Sequence, residues 1–460
     1  MNAPARFLEL KEMAVDVVEP GRRARRGALA CELGRHISFD TEILESFSST
    51  NWQAVVYDAL VVAAVVEFCD RSLSRSKMNW GRRFRVRVPV HDPARWSDHA
   101  VARALIAALN LLTGDDWHFE FLARGSCVET PRQNRMEFRY NADAVIAYSE
   151  GMDSRAVDGL ERKRLGHRLV RVRVGTKRHD LPKKARLSSP FAALPYEVAL
   201  DGNNAENSAR SRGFKFSLVA AIAAYLIQAP SVIVPESGQG ALAPTMLPVG
   251  QGYADYRNHP AFTALMEKFV GALFGHRVRY TFPRLWMTKG ETLREYVDNC
   301  GVEAANWAKT RSCWQQSRQS SVSGTWRHCG VCAACMLRRL SVHAAGLREA
   351  DEKYVWETLK APTFEEGAAK GFNHITQALR EYALAGVLHF EHFASIRNSA
   401  QYDLLKRRAT NELARALGQQ SNAIADGLDR LLKNHSKEWS VFTSDLGPES
   451  FVRKWIGTAS

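Results

Sequence analysis

Residues 142–148 read Ala142-Asp143-Ala144-Val145-Ile146-Ala147-Tyr148, and Ser149-Glu150-Gly151-Met152-Asp153-Ser154 follow at once. The short apolar run suits a buried strand. Arg155-Ala156-Val157-Asp158-Gly159-Leu160 then has the composition of a helix start. A strand, a tight loop and a helix leave unpaired backbone N–H groups at the helix N-terminus, where the helix dipole also favours negative charge. Serines at both ends of the loop add hydroxyl donors, so the unit can cradle a phosphate or pyrophosphate. On these residues alone, Ser and Asp beside a helix start are equally ordinary caps that need no ligand.

Working outward, strand and helix patterns alternate. Residues 169–174 and 231–234 read as strands, 216–227 as a core helix, 259–274 as a helix and 278–282 as a further strand. That alternation predicts an α/β fold, a Rossmann-like, mainly parallel sheet with helices on both faces. The ligand crevice of such a sheet opens at the carboxyl ends of its strands. The loop at 149–154, the turn at 236–240 and the segment around Lys289 are all expected at that edge. Upstream, 57–73 and 98–112 read as helices, and 83–90 and 117–121 as half-buried strands. Residues 1–26 are Arg-rich and are expected to form a poorly ordered arm. Beyond Asp351 the pattern turns helical, over 372–388 and 401–432. Three consecutive parts are therefore expected: an α/β accessory domain over 1–140, the nucleotide-binding domain over 141–350, and a helical extension over 351–460.

A second constellation lies near the end of the middle part. Cys329-Gly330-Val331-Cys332-Ala333-Ala334-Cys335 places three thiols at two-residue spacers, and Cys313 stands sixteen residues upstream. Four thiolates complete a tetrahedral shell with no position left for water, which is the chemistry of a structural Zn²⁺ site. The further cysteines and following proline of ferredoxin-type iron–sulfur patterns are missing. The scattered Cys31, Cys69, Cys127 and Cys300 read as buried free thiols.

Composition bounds the rest. The 460 residues are 45% hydrophobic and 24% charged, ordinary for a globular protein of two or three domains. The longest apolar runs, 59–66 and 218–227, are too short to span a bilayer. Arg22–Arg26 is not followed by the apolar stretch of a secretory signal, so a cytoplasmic location is expected. The net charge of +14 is concentrated in 162–173 and 177–186. Aromatic residues do not interleave with these cations as single-strand stacking platforms require. Small anionic ligands or an acidic protein partner are therefore favoured over direct nucleic-acid binding.

Taken in order, these segments resemble a known family. Ser149–Ser154 is similar to the Ser-Gly-Gly-x-Asp-Ser signature of the PP-loop ATP pyrophosphatases. Thr310-x-x-Cys313 and Cys329-Gly330-x-Cys332-x-x-Cys335-x-x-Arg338 resemble the zinc region of the 7-cyano-7-deazaguanine synthase (QueC)-like branch. Thr288-Lys289-Gly290-Glu291 looks like that branch's Ser/Thr-Lys-x-Glu segment, and Ser208–Arg212 like its Arg-containing segment before a core helix. The resemblance covers about 140–350. The added flanks look like the QatC-type members of an anti-phage defence system, which implies a protein partner from the same system.

The resemblance implies ATP and Mg²⁺ as cofactors beside Zn²⁺, and adenylation of a carboxylate such as 7-carboxy-7-deazaguanine with release of pyrophosphate. By position, Ser149, Glu150, Gly151, Met152, Asp153 and Ser154 would form the nucleotide loop, with Asp153 holding Mg²⁺ or fixing the loop. Lys289 would contact phosphate or adenylate, and Arg210 and Arg212 phosphate or the substrate carboxylate. Glu291 reads as a helix-capping residue. Glu150 departs from the family's glycine, and at positive φ it would cost about 1–2 kcal/mol. Two other readings stay open: a nucleotide-binding scaffold whose site Glu150 disables, and a tRNA-modifying PP-loop enzyme. A saturated zinc shell offers no sulfur-carrying thiol for the thiolating kind of the latter.

Overall fold

The computed structural model describes residues 10–39, 52–76, 80–125, 141–149, 151–174, 196–247, 253–315 and 319–457. The chain divides into two compact units, each built from several segments. The first comprises 1–148, 165–234 and 255–281; the second comprises 149–164, 235–254 and 282–460.

The first unit contains two four-stranded sheets, both wholly parallel. One has strands β1 (Lys11–Val18), β2 (Leu29–Glu32), β4 (Arg82–Val90) and β5 (Asp116–Ala123), in the order β2-β1-β4-β5. The other has β6 (Ala144–Ala147), β7 (Leu169–Val172), β9 (Ser231–Ile233) and β10 (Arg279–Thr281), in the order β7-β6-β9-β10. The first strand of each sheet therefore lies between the second and the third, so the two sheets repeat one topology. A separate pair is formed by β3 (Ile37–Phe39) and β8 (Tyr196–Val198), which run antiparallel.

Helices α1 (Ala54–Ser72), the short α2 (Pro93–Ser97) and α3 (His99–Thr113) pack on the first sheet, and α5 (Arg212–Leu226) and α8 (Pro260–Phe274) on the second. The two helical layers face each other, α1 against α5 and α3 against α8. This sandwiching explains why α1 and α5 are apolar almost all round, for a helix with neighbours on two sides has no solvent face. Asp98 and His259 cap α3 and α8, and Gly114 (φ 69°) and Gly275 (φ 67°) end them in the left-handed region.

The strands and helices expected over 57–121 and 142–282 are present to within a few residues. Residues 10–26 do not form the arm expected over 1–26, and residues 1–9 lie outside the described residues. Residues 11–18 form the inner strand β1, because Met13, Val15 and Val17 alternate with Glu12, Ala14 and Asp16, and Arg25 folds back to bond Asp16 at 2.7 Å. The Arg run masked that period of two. Residues 401–432 are not one helix: Gly418 (φ 64°) separates α12 (Tyr402–Leu417) from α13 (Ser421–Asp445).

The second unit is mainly helical. Short turns α6 (Gly238–Ala241) and α7 (Ala243–Met246) precede α9 (Lys289–Ala304), which is broken at Gly301, and α10 (Ala333–Ala344). Helices α11 (Gln377–Ser395), α12 and α13, and a last turn α14 (Phe451–Gly457), complete it. Met152–Leu165, α4, also belongs almost wholly to this unit. Among the described residues, no helix is long and apolar enough to cross a membrane.

Candidate nucleotide site and metal centre

The second sheet reverses its winding between β6 and β9, the position where open α/β sheets bind ligands. The chain leaving β6 enters Ser149 onward, and the chain leaving β9 enters Pro235 onward. Both segments belong to the second unit. Within it, Lys289 bonds to both of them. Its ammonium pairs with the Asp153 carboxylate, and its backbone N–H donates to Gln239 Oε1 at 2.8 Å.

Helix α4 begins at Met152, inside the loop rather than at Arg155 as the sequence suggested. Asp153 and Ser154 are thereby first-turn residues, and both are buried. Ser149 Oγ lies 2.8 Å from Ser154 Oγ and accepts from the Gly151 N–H at 3.1 Å, so the two serines close the loop. The Met152 side chain packs with Ala156, Leu160, Leu293, Tyr296 and Val342, which leaves only its backbone to face a ligand. Glu150 lies outside the described residues.

Two helix N-termini meet here. Packing of α4 on α9 fixes them, since a Cβ at Gly159 would stand 2.3 Å from the Tyr296 ring. Asp153 Oδ1 is buried without a hydrogen-bond partner among the described residues, while Oδ2 takes the lysine. An orphaned carboxylate oxygen between helix N-termini and beside a lysine is suited to a hard cation carried by an anionic ligand. Asp153 is the loop residue that would hold such a cation, and Ser149 and Ser154 bring hydroxyls to the same loop.

Arg210 and Arg212 belong to the first unit. Arg210 is buried, pairs with Asp255 at 3.2 Å and lies over the Trp80 ring. Arg212 opens α5 and lies over Phe216. Of the basic stretch at 162–173, Arg162 pairs with Asp158, Arg164 with Glu161 and Arg168 with Asp143, so these three charges are satisfied internally. Residues 177–186, the other basic stretch, lie outside the described residues.

Thr288 and Glu291 form a reciprocal capping box for α9. Thr288 N–H donates to Glu291 Oε2 at 2.8 Å, and Glu291 N–H to Thr288 Oγ1 at 3.0 Å. Thr288 Oγ1 also donates to Glu438 Oε1 at 2.6 Å. Burial, reinforced by the nearby Glu291 carboxylate, pushes the Glu438 carboxyl up to about 7 from an ordinary 4.5. A group raised on folding takes up its proton more tightly in the folded state. Its stabilising contribution is complete below about pH 4.5 and is lost as pH rises through about 7. Glu438→Gln is therefore expected to flatten the pH dependence of the urea midpoint across that window, and an unchanged slope would contradict the assignment.

The four cysteines singled out from the sequence converge. Cys313, Cys329, Cys332 and Cys335 are all buried, with their sulfurs within 4.8 Å of one another. Cys329 and Cys335 are 3.8 Å apart, close to the edge of a tetrahedron with Zn–S bonds of about 2.3 Å. Backbone N–H groups of Cys329, Gln315 and Cys332 donate to sulfurs at 3.2, 3.4 and 3.3 Å, which favours thiolates. Gly330 takes φ 88° in the knuckle between Cys329 and Cys332, a conformation that suits glycine. This donor set fits a structural zinc ion.

Arg338 joins the two halves of the shell. It is fully buried, binds Glu349 through two nitrogens at 2.7 and 3.0 Å, and donates to Thr310 Oγ1 at 2.8 Å and Ser312 Oγ at 3.2 Å. The Thr-x-x-Cys and Cys-x-x-Arg spacings thus have one physical cause. Downstream, α10 packs along α9, and a Cβ at Gly290 would lie 2.7 Å from Ala344 Cβ. The metal centre therefore supports the helix that carries Lys289. Cys31 and Cys69 are buried free thiols as expected, Cys300 is half-buried, and Cys127 lies outside the described residues.

Sequence reasoning placed Gln239 only within the turn at 236–240, and it missed His435 and Glu438. His435 replaces an aliphatic residue in the apolar stripe Ile424, Leu428, Leu431, Trp439 and Phe442 of α13, the one signal that could have drawn attention to it.

No curated protein matches the chain. A family model described as "QueC: Queuosine biosynthesis protein QueC" matches residues 246–346. That window holds Lys289, Thr310, the four cysteines and Arg338, and does not reach Ser149–Ser154 or the two arginines. Over residues 246–346 the chain is therefore similar to QueC, a PP-loop family of ATP-using enzymes.

Proposed function

We propose that the chain is a QueC-like PP-loop enzyme that adenylates a carboxylate at the expense of ATP and releases pyrophosphate. The observation that carries this is the convergence of Asp153, which follows β6, and Gln239, which follows β9, on Lys289. A carboxylate is a poor electrophile until one oxygen becomes a leaving group. Its oxygen attacks the α-phosphorus, the bond to the bridging oxygen breaks, and pyrophosphate leaves with the electron pair.

Ser149, Gly151 and Ser154 would hold the departing pyrophosphate, and Lys289 would neutralise charge developing on it. Asp153 would hold Mg²⁺, which supplies charge neutralisation between the phosphates. Arg210 and Arg212 are proposed to meet phosphate or the substrate carboxylate. The substrate proposed is a 7-carboxy-7-deazaguanine-like acid. An amine, free or on a partner protein of an anti-phage defence system, would then attack the acyl carbon and expel AMP.

The test is AMP and pyrophosphate formation from Mg·ATP with and without 7-carboxy-7-deazaguanine, in the native protein and in Glu150→Gly. Equal AMP and pyrophosphate in the native protein, dependent on the acid, is the expected outcome. Turnover confined to Glu150→Gly would make the native chain a nucleotide-binding scaffold. Intact-mass analysis after co-expression tests the partner: absence of any adduct would count against protein coupling.

A further inference from the structure

Lys289 is held from behind by the C-terminal helix α13, which lies outside both the matched window 246–346 and the stretch that resembles the family. His435 is fully buried, and its Nε2 faces the Phe390 carbonyl at 3.0 Å. A carbonyl only accepts, so Nε2 carries the proton and Nδ1 presents a lone pair. That lone pair accepts from Gln239 Nε2 at 2.8 Å. The amide is thereby oriented, and its Oε1 faces the Lys289 N–H. One histidine tautomer thus dictates which end of Gln239 meets the first N–H of α9.

Three residues further along the same helix, Glu438 accepts from Thr288 Oγ1. His435 and Glu438 stand on one helical face and grip residues 289 and 288 respectively. Close approach is enforced by two glycines. A Cβ at Gly238 would meet Leu431 Cδ2 at 2.5 Å, and one at Gly290 would meet Glu438 Oε1 at 3.1 Å.

We propose that His435, through Gln239, and Glu438, through Thr288, are positioning residues that fix Lys289 for the nucleotide. The role in nucleotide chemistry rests on the function proposed above; the hold on Lys289 does not. Misplacing a charge-stabilising group by about 1 Å can cost on the order of a hundredfold in rate. His435→Leu removes the lone pair, whereas His435→Asn can keep an acceptor where Nδ1 stood.

Two readouts test it on the full-length zinc-loaded protein. The first is reductive methylation of the Lys289 amine, followed by peptide mass spectrometry, which needs no activity. The second is the KM for Mg·ATP. Methylation in His435→Leu is expected to rise about tenfold, with a raised KM, and to fall back toward the native rate in His435→Asn. Should His435→Leu not fold, Gln239→Met cuts the same relay and is expected to show the same gain. A folded His435→Leu or Gln239→Met with native Lys289 labelling would overturn the proposal. If Lys289→Ala leaves ATP handling untouched, the nucleotide reading fails, and the labelling result still decides the hold on Lys289.

Discussion

Cys332→Ser is expected to lower zinc content and thermal stability together. Cys332 is fully buried, shares its shell with Cys313, Cys329 and Cys335, and forms the N-cap of α10. The same shell lies inside an aromatic core of the second unit, with Trp356, Phe364, Phe372, Trp439 and Phe451 in one cluster with the cysteines. Serine is a far weaker zinc ligand, and its hydroxyl would be left buried among apolar groups. Structural zinc binding is worth about 10–16 kcal/mol in small modules, comparable with a whole domain's stability of about 5–15 kcal/mol. Loss of several kcal/mol at about 2–4 °C per kcal/mol gives a drop on the order of 10 °C in Tm. Cys300→Ser, outside the shell, should leave zinc content unchanged. Metal analysis with calorimetry reads both quantities. Full loss of zinc at an unchanged Tm would show that the metal does not hold this core.

Asp153→Ala is expected to remove carboxylate-dependent AMP formation by a factor of about 10²–10³, the usual cost of deleting one charge-stabilising group. Two functions end with this carboxylate. Oδ2 holds the Lys289 ammonium, and Oδ1, without a hydrogen-bond partner among the described residues, is suited to the cation. Lys289→Ala should cost a similar factor. The double variant should be little worse than either single one, because residues that act as a unit are not additive. Additive losses would mean that the pair does not work together. Single-turnover AMP formation in the three variants decides between these outcomes, and zinc content and Tm serve as controls on folding.

Much of the fold was legible because the relevant patterns are local. The apolar run at 144–147, the Pro and Gly that bracket α8, and the alternation in β4 each fix an element without knowledge of the rest. The four cysteines were legible for the same reason, since Cys-x-x-Cys spacing is itself the geometry of a knuckle. What remained hidden is set by distant packing. The hairpin of Ser321–Val322 with Thr325–Trp326 between Cys313 and Cys329 is too short to leave a period. The inner strand β1 was obscured by the arginines beside it. The interleaving of segments 149–164, 235–254 and 282–460 into one unit is a property of contacts between stretches far apart in sequence.

The same division applies to the candidate site. Asp153 and Lys289 could be nominated from motifs, but their pairing depends on α4 packing against α9 through Gly159 and Tyr296. Gln239 looked like part of a turn, and only its bonds to Lys289 and His435 give it a role. Glu291 was legible as a cap because Thr-x-x-Glu is a sequence-local device.

The most direct measurement is carboxylate-dependent exchange of radiolabelled pyrophosphate into ATP, which reports reversible adenylation without needing the acceptor amine. With 7-carboxy-7-deazaguanine present, label is expected in ATP for the native protein and absent for Asp153→Ala. Production of ADP and phosphate, with no label entering ATP, would contradict adenylation at this site.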